Sequence, residues 1–282
     1  MEFKATAPIK LLDALQQMYP DSSKRTLKNW LAGGRFSLDG QKITKENSVL
    51  EKGQVLAAVD SFRPQTVPGL KILYEDRYLI AIDKPVGLLS VPLDEEFAKK
   101  RHALGLLRWH YSTDQIFAVH RIDRETSGVL LFARGKQTED RLKKLFENHD
   151  LTREYFAIVE GRLSESKGVW ESQLIELPSL DVVESPEGKR AVTHFEVLRR
   201  SAKYSYLRLT LETGRKHQIR VHCQAAGHPV VGDKRYGSTE SPMGRLCLHA
   251  HLLSLVHPFT GKSLTFTSPL PSIFKVLGGI LR

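Results

Sequence analysis

The 282-residue sequence predicts an α+β fold: a large domain on a largely antiparallel mixed sheet with flanking helices, preceded by a small α+β unit. Three observations predict it. YLIAIDKP (78–85), GVLLFARG (128–135), EYFAIVEG (154–161) and YSYLRLTL (204–211) are apolar runs of strand length rich in branched and aromatic residues. Two helical patterns fall among them without the regular alternation of a βαβ protein. A Pro/Gly-bearing stretch, Arg63-Pro64 through Pro68-Gly69, separates about sixty residues of different texture from everything downstream. The expected division is 1–62, a linker over 63–70, and 71–282.

In the N-terminal unit, IKLLDALQQMY (9–19) places Leu12, Leu15 and Tyr19 at helical spacing. A second helix is expected from about Ser23 to Ala32, capped by Ser22 or Ser23 and stopped by Gly33-Gly34, with Leu27, Trp30 and Leu31 turned inward. RFSLDGQKI (35–43) reads as a hairpin around Asp39-Gly40, and KGQVLAAVD (52–60) adds a closing strand. Lys24, Arg25, Lys28 and Arg35 surround the second helix, with only Asp21 nearby to oppose them. In the larger domain, LKKLFENH is helical, with Leu142, Leu145 and Phe146 on one face. HQIRVHCQAAG is a second helix, stopped at Gly227 with Pro229 just beyond.

Composition narrows the function. With 41% hydrophobic and 26% charged residues the chain can bury a core. No apolar run approaches the length of a membrane span, and the N-terminus lacks the h-region of a signal peptide. Cys223 and Cys247 form no metal-type pair, which fits a reducing cytoplasm. The formal net charge of +10 favours a polyanionic partner, because each neutralised phosphate releases a counterion.

Several chemistries lack their residues. No GxGxxG follows a strand, and Gly261-Lys262-Ser263 has Val256 where a phosphate loop needs its leading glycine. No GxSxG elbow occurs. His217 with His222, or His249 with His251, could supply metal ligands, but no carboxylate or cysteine completes either set. No metal and no cofactor are expected. Cys223 and His222 are adjacent on a helix and do not face each other.

What remains is HRIDRETSGVLLFARG (120–135): an aspartate between two arginines, ahead of Thr126-Ser127-Gly128 and a buried strand. That places Asp123 on the rim of the sheet, and the flanking cations favour its ionised form. An Arg-Ile-Asp-Arg tetrapeptide alone favours a turn aspartate among solvated arginines.

The segment is not alone. HRIDRETSG resembles the HRLDRxTSG motif of the RluA family of RNA pseudouridine synthases. AIDKPVGLLSVP (81–92), REYFAIVEG (153–161), LETGRKHQIRVH (211–222) with GHPVVGDKRYG (227–237), and LHAHLLSLVHPFTG (248–261) resemble further blocks of that family, in order. The departures are Ile122 for leucine and Arg153 where lysine is common, the latter keeping charge but not shape.

The resemblance implies a cofactor-independent isomerase that breaks the C1′–N1 bond of uridine, turns the base and rejoins it through C5. It implies that Asp123 is the essential carboxylate, whether it attacks the sugar, adds to the base or removes a sugar proton. It implies that Tyr155 contacts the uracil as base or platform, that Arg220 pairs with Asp123, and that Arg121 fills the gap left by a flipped base. Lys84, Arg215, Lys216 and Lys234 are candidate phosphate contacts. The N-terminal unit resembles the S4 RNA-binding domain, making Lys24, Arg25, Lys28 and Arg35 candidate RNA contacts. Members with such a domain commonly modify large-subunit ribosomal RNA, so a structured RNA of the 23S type is the expected partner of a cytoplasmic monomer. Transfer RNA is the alternative substrate. A non-catalytic RNA-binding or ribosome-assembly factor, and a metal-dependent hydrolase using the histidines, are the competing functions.

Overall fold

The computed structural model describes residues 2–20, 22–32, 34, 36–58, 67, 69–92, 101–242 and 244–276. Asp21, Gly33, Arg35 and most of the expected linker lie outside the described residues.

The N-terminal unit runs β1 (Glu2–Lys4), β2 (Ile9–Lys10), α1 (Leu11–Met18), α2 (Lys24–Ala32), β3 (Phe36–Leu38), β4 (Gln41–Ile43), β5 (Val49–Leu50) and β6 (Val55–Ala58). The order β1-β6-β3-β4 forms one small sheet, and β2 pairs with β5. Asp39 and Gly40 both have positive φ, 50° and 81°, as a two-residue hairpin turn requires. The Ser23 hydroxyl caps α2 by accepting from Thr26 N at 3.2 Å. At the other end Gly34, with φ +72°, donates to Leu31 O at 2.8 Å. Leu27, Trp30 and Leu31 are buried, as their spacing predicts.

The inward face of α1 differs from the expected one. Leu11, Ala14, Leu15 and Met18 are buried, while Leu12 and Tyr19 are half-buried. Ile9 and Lys10 are drawn into strand pairing with Leu50 and Val49, so the helix starts two residues later and turns by about one position. Lys28 is not free of acids either, since Glu46 pairs with it at 3.2 Å.

The larger domain continues with β7 (Lys71–Glu75), β8 (Leu79–Lys84), α3 (Ala103–Tyr111), β9 (Ile116–Ala118), β10 (Ser127–Arg134), α4 (Lys136–Glu147), β11 (Leu151–Glu160), β12 (Lys167–Glu176), β13 (Val182–Glu184), β14 (Lys189–Arg200), β15 (Tyr204–Leu211), α5 (Gln218–Ala225), β16 (Leu248–Val256), β17 (Ser263–Thr267) and α6 (Ser272–Val276). Its sheet has the order β13-β12-β14-β15-β11-β16-β10-β8-β7, with β17 on β16 and β9 on β10. Alternation along β10 divides the core: Leu130 and Phe132 pack towards α3, and Val129, Leu131 and Ala133 towards Leu142 of α4. A third cluster joins β11, β15 and β16 to α5 and α6 through Leu207, Ile219, Cys223 and Phe274.

Among the described strand pairs, only β10 and β16 run parallel, at Ser127–His249 and Gly128–Ala250. Gly128 has φ +120°, and a Cβ there would lie 2.0 Å from Ala250 O. This crowded junction sits five residues after Asp123 and sets where the loop 120–126 emerges.

The two units touch at one seam. Thr26 Oγ1 donates to Tyr111 O at 2.7 Å, and the Arg134 guanidinium lies 5.8 Å from the Trp30 ring centroid. No helix among the described residues is long and apolar enough to cross a membrane.

Candidate active site

Asp123 lies in the loop ahead of β10, where its carbonyl accepts from Thr126 N at 3.1 Å in a tight turn. Its side chain opens into a cavity of about 460 Å³. Tyr155, Arg220, Arg121, His217 and Arg153 line the same cavity. The structure therefore brings together, from β11, α5 and the loop, the three residues that the resemblance singles out.

Arg220 approaches Asp123 with Nη1 3.5 Å from Oδ2, a loose contact. Its tight partner is Asp233, which takes Nε at 2.6 Å and Nη2 at 2.7 Å in a two-point fork. Tyr236 lies beneath the guanidinium at 4.8 Å. Burial opposes the charge on Arg220, but the Asp233 hydrogen bonds and charge outweigh it and raise the pKa further. Nη1 is thus aimed at Asp123 by groups on its other side.

The sequence reading missed Asp233. Its block, GHPVVGDKRYG, was visible, but a lone aspartate thirteen residues from Arg220 shows no partner in sequence. The short 3-10 turn Lys234–Tyr236 that Asp233 caps brings the two together. Tyr236 was missed in the same way, and His217 was weighed only as a metal ligand. His217 adopts a left-handed conformation, φ 54°, at the start of α5. Its Nδ1 lies 2.7 Å from Tyr236 Oη and its Nε2 3.9 Å from Asp123 Oδ2. Burial pushes its pKa down to about 4 despite the pull of Asp123, so the ring is neutral near pH 7.

Tyr155 stands on β11, two residues from Arg153, and lines the cavity with it and with Asp123. Burial raises its phenol pKa, Arg153 opposes the rise, and Asp123 adds to it. The phenol is accordingly protonated at neutral pH.

The candidate phosphate contacts separate into three groups. Lys84 is not one: its side chain is fully buried and its ammonium donates to the carbonyls of Pro85 (3.0 Å), Leu88 (2.7 Å) and Arg124 (3.1 Å). Burial pulls its pKa down to about 7, against the charges of Asp123 and Glu125. A lysine whose three donors are used by carbonyls has none left for RNA; it ties the turn after β8 to the loop carrying Asp123. Lys216 is half-buried and committed to Glu176 and to Leu180 O at 3.2 Å. Arg121, Arg215 and Lys234 are exposed, with Arg121 and Arg215 on the cavity rim. On α2, Lys24 and Arg25 are exposed and Lys28 is paired with Glu46.

The histidines considered as ligands have other partners. His222 contacts Ser172 at 3.1 Å and Thr193 at 2.9 Å, His249 contacts Ser127 at 2.9 Å, and His251 contacts Ser268 O at 2.9 Å. Among the described residues no group of three or more His, Cys, Asp or Glu could hold a metal ion. Cys223 and Cys247 are buried free thiols.

The family model described as RNA pseudouridylate synthase matches residues 78–225. The chain is 33% identical to the ribosomal large subunit pseudouridine synthase D of Vibrio cholerae, over 93% of this chain and 88% of that one. It is 35% identical to the uncharacterized RNA pseudouridine synthase YjbO of Bacillus subtilis, over 88% and 92%. Among solved structures, human RNA pseudouridylate synthase domain containing 1 superposes with a TM-score of 0.61 at 26% identity, covering 76% of this chain and 89% of that one. An aspartate, a tyrosine and an arginine converge in one cleft, inside the matched span and on a shared fold. The chain therefore belongs to the RNA pseudouridine synthase family, of the RluA type, and is an isomerase.

Proposed function

We propose that this isomerase converts uridine to pseudouridine in structured large-subunit ribosomal RNA, working as a monomer in the cytoplasm. The observation that carries the catalytic part is the convergence of Asp123, Tyr155 and Arg220 on one cavity. The relatives named for the ribosomal large subunit support the substrate.

In this reading the target nucleotide leaves its helix, since C1′ and N1 are shielded within a stack, at a cost of a few kcal/mol. Arg121, exposed at the rim, stacks where the base was. The uracil enters against Tyr155, whose neutral phenol serves as platform and donor. Asp123 meets C1′, where positive charge develops as the C1′–N1 bond breaks, and Arg220 Nη1 keeps the carboxylate turned towards it. The detached base rotates while held and C5 joins C1′; C5 then gives up its proton to restore the uracil ring and N1 takes one up, so the exchange is an isomerisation with no net gain or loss of a proton. The half-buried site limits water, which would otherwise leave an abasic sugar. The N-terminal unit, read as an S4-like domain spanning about residues 1–62, adds affinity through Lys24 and Arg25 by keeping RNA at high effective concentration.

Asp123→Asn should retain the fold and RNA binding while losing pseudouridine formation by at least about 10³-fold. Substantial activity in a folded Asp123→Ala protein would overturn the assignment. Mapping pseudouridines in cells lacking the protein identifies the target. A missing site in large-subunit ribosomal RNA supports the substrate, a missing site in transfer RNA replaces it, and no missing site favours a binding role.

A further inference from the structure

Arg153 is a cation in an unusual setting. It is 8% exposed, and it lines the cavity that holds Asp123. Among the described residues no carboxylate pairs with it; the groups near its charge are the Tyr155 phenol and the Phe146 ring, whose centroid lies 6.0 Å from the guanidinium carbon. Burying a guanidinium without an anion is costly, and burial does lower its pKa. Its bonds are few: Nη2 donates to Glu212 O at 2.9 Å and to Leu211 O at 3.5 Å. Nε has no acceptor among the described residues. Nε is sealed within the protein and out of a ligand's reach, but Nη1, beside the cavity-lining Gly214, also has no acceptor among the described residues, and its donors are the ones a ligand can meet. Space has been kept for this side chain, since a Cβ on Gly214 would lie 2.4 Å from Nη1.

Its position along the cavity follows from strand register. Arg153 and Tyr155 are two apart on β11 and share a face. Tyr155 is opposite Ala250, which pairs with Gly128 at the Asp123 end of β10. Arg153 is opposite Leu253, farther from that end. The cavity thus runs from Asp123, past Tyr155, to Arg153. A uridine whose C1′ meets Asp123 and whose ring lies along Tyr155 points the far side of its base, with O4, at Arg153.

We propose that Arg153 binds O4 of the flipped uracil and thereby selects uracil over cytosine. This rests on the isomerase reading above. Cytosine presents an amino group at the same position, so two donors would face each other in a buried site and both would stay unpaired. The contact also strengthens during the reaction. When C1′–N1 breaks, its electron pair passes to the uracil and spreads over N1, O2 and O4, while positive charge remains at C1′ beside Asp123. The site then has an anion at C1′ and a cation at O4, each opposite the charge that forms. Arginine in place of the more usual lysine widens the reach of the donor and leaves Nη2 free to anchor on β15.

The test uses the full chain and a fragment of the RNA identified by mapping, with either uridine or 4-thiouridine at the target. Sulfur at position 4 is a weaker acceptor and should slow the wild-type single-turnover rate about tenfold. Arg153→Met should slow the uridine reaction by about tenfold or more and show no added penalty for sulfur, because the affected contact is already gone. Arg153→Lys, which keeps the charge and most of the volume, should retain part of the rate with a reduced sulfur penalty. A purely structural role would slow both substrates equally and leave the sulfur penalty at its wild-type size in both variants, and that result overturns the proposal. So does a wild-type uridine rate in Arg153→Met. If Arg153→Met does not fold, the sulfur penalty in Arg153→Lys decides alone. A wild-type protein inactive on the uridine fragment would count against the substrate reading instead.

Discussion

At the scale of single residues, the site depends on how donors are shared. Asp233 holds two faces of the Arg220 guanidinium and leaves one for Asp123. Asp233→Asn should weaken the fork and let the arginine turn, lowering the single-turnover rate by about tenfold or more with RNA affinity little changed. Denaturant unfolding should show a loss of roughly 3 kcal/mol from breaking a buried pair. Lys84→Met should leave the carbonyls of Pro85, Leu88 and Arg124 short of a donor. The expected cost is about 2–4 kcal/mol of stability, with slower catalysis because the loop loosens. An unchanged melting temperature and rate would mean water replaces the ammonium. Asp123, Tyr155 and Arg220 were legible because short motifs carry them. Lys84 and Asp233 were not, since a lysine gives no sign in sequence of whether it ends in water or among carbonyls, and a two-point ion pair across thirteen residues needs the fold to exist first.

At the scale of elements, local signals read well wherever local physics decides. The Asp39-Gly40 turn, the Ser23 cap and the stop at Gly34 all depend on a few neighbouring residues. The apolar run of β10 is unmistakable because both its faces are buried. The hairpin of β12, β13 and β14 was not foreseen. β12 has one buried residue, Leu174, and its alternation is between exposed and half-buried positions, which apolar patterning hardly registers. The phase of α1 was misjudged because a tertiary pairing at Ile9 and Lys10 moved its start. Gly128 is the element-scale position most open to test. Alanine there would need both a left-handed backbone and space filled by Ala250 O. Gly128→Ala should part β10 from β16, lower stability by roughly 3 kcal/mol or more and abolish activity, as thermal melts and rate assays would show. Gly135→Ala, with φ +82° and ψ 151° but open space around it, should lose less, about 1–3 kcal/mol from backbone strain alone, and keep the strand pairing.

For the molecule as a whole, pH and salt are the informative variables. Burial depresses His120 to about 3 and His217 and His249 to about 4, from 6.5. The unfolded chain protonates these rings near pH 6.5, whereas the folded chain resists until pH 3–4. Their contribution to stability is therefore full above pH 6.5 and is lost as pH falls through that window. Melting temperatures should decline from pH 7 to pH 4, and His249→Gln should flatten the decline. Salt reports on the N-terminal unit. Replacing Lys24 and Arg25 with glutamine should reduce the slope of log affinity against log salt by about 1–2, if each contacts one phosphate. An unaltered slope would leave α2 as a solvated face.

The seam between the units gives β10 a second meaning. This strand starts immediately after the loop that carries Asp123 and finishes at Arg134, against Trp30 of α2. Eight residues of extended chain span roughly 25 Å, paired along both edges and buried on both faces. Such a strand transmits displacement better than it absorbs it. If α2 holds a distant stretch of RNA, as proposed, that hold and the Asp123 carboxylate are surveyed from opposite ends of one rigid ruler, whose length limits how far along the RNA the modified uridine can lie from the place where the molecule is held.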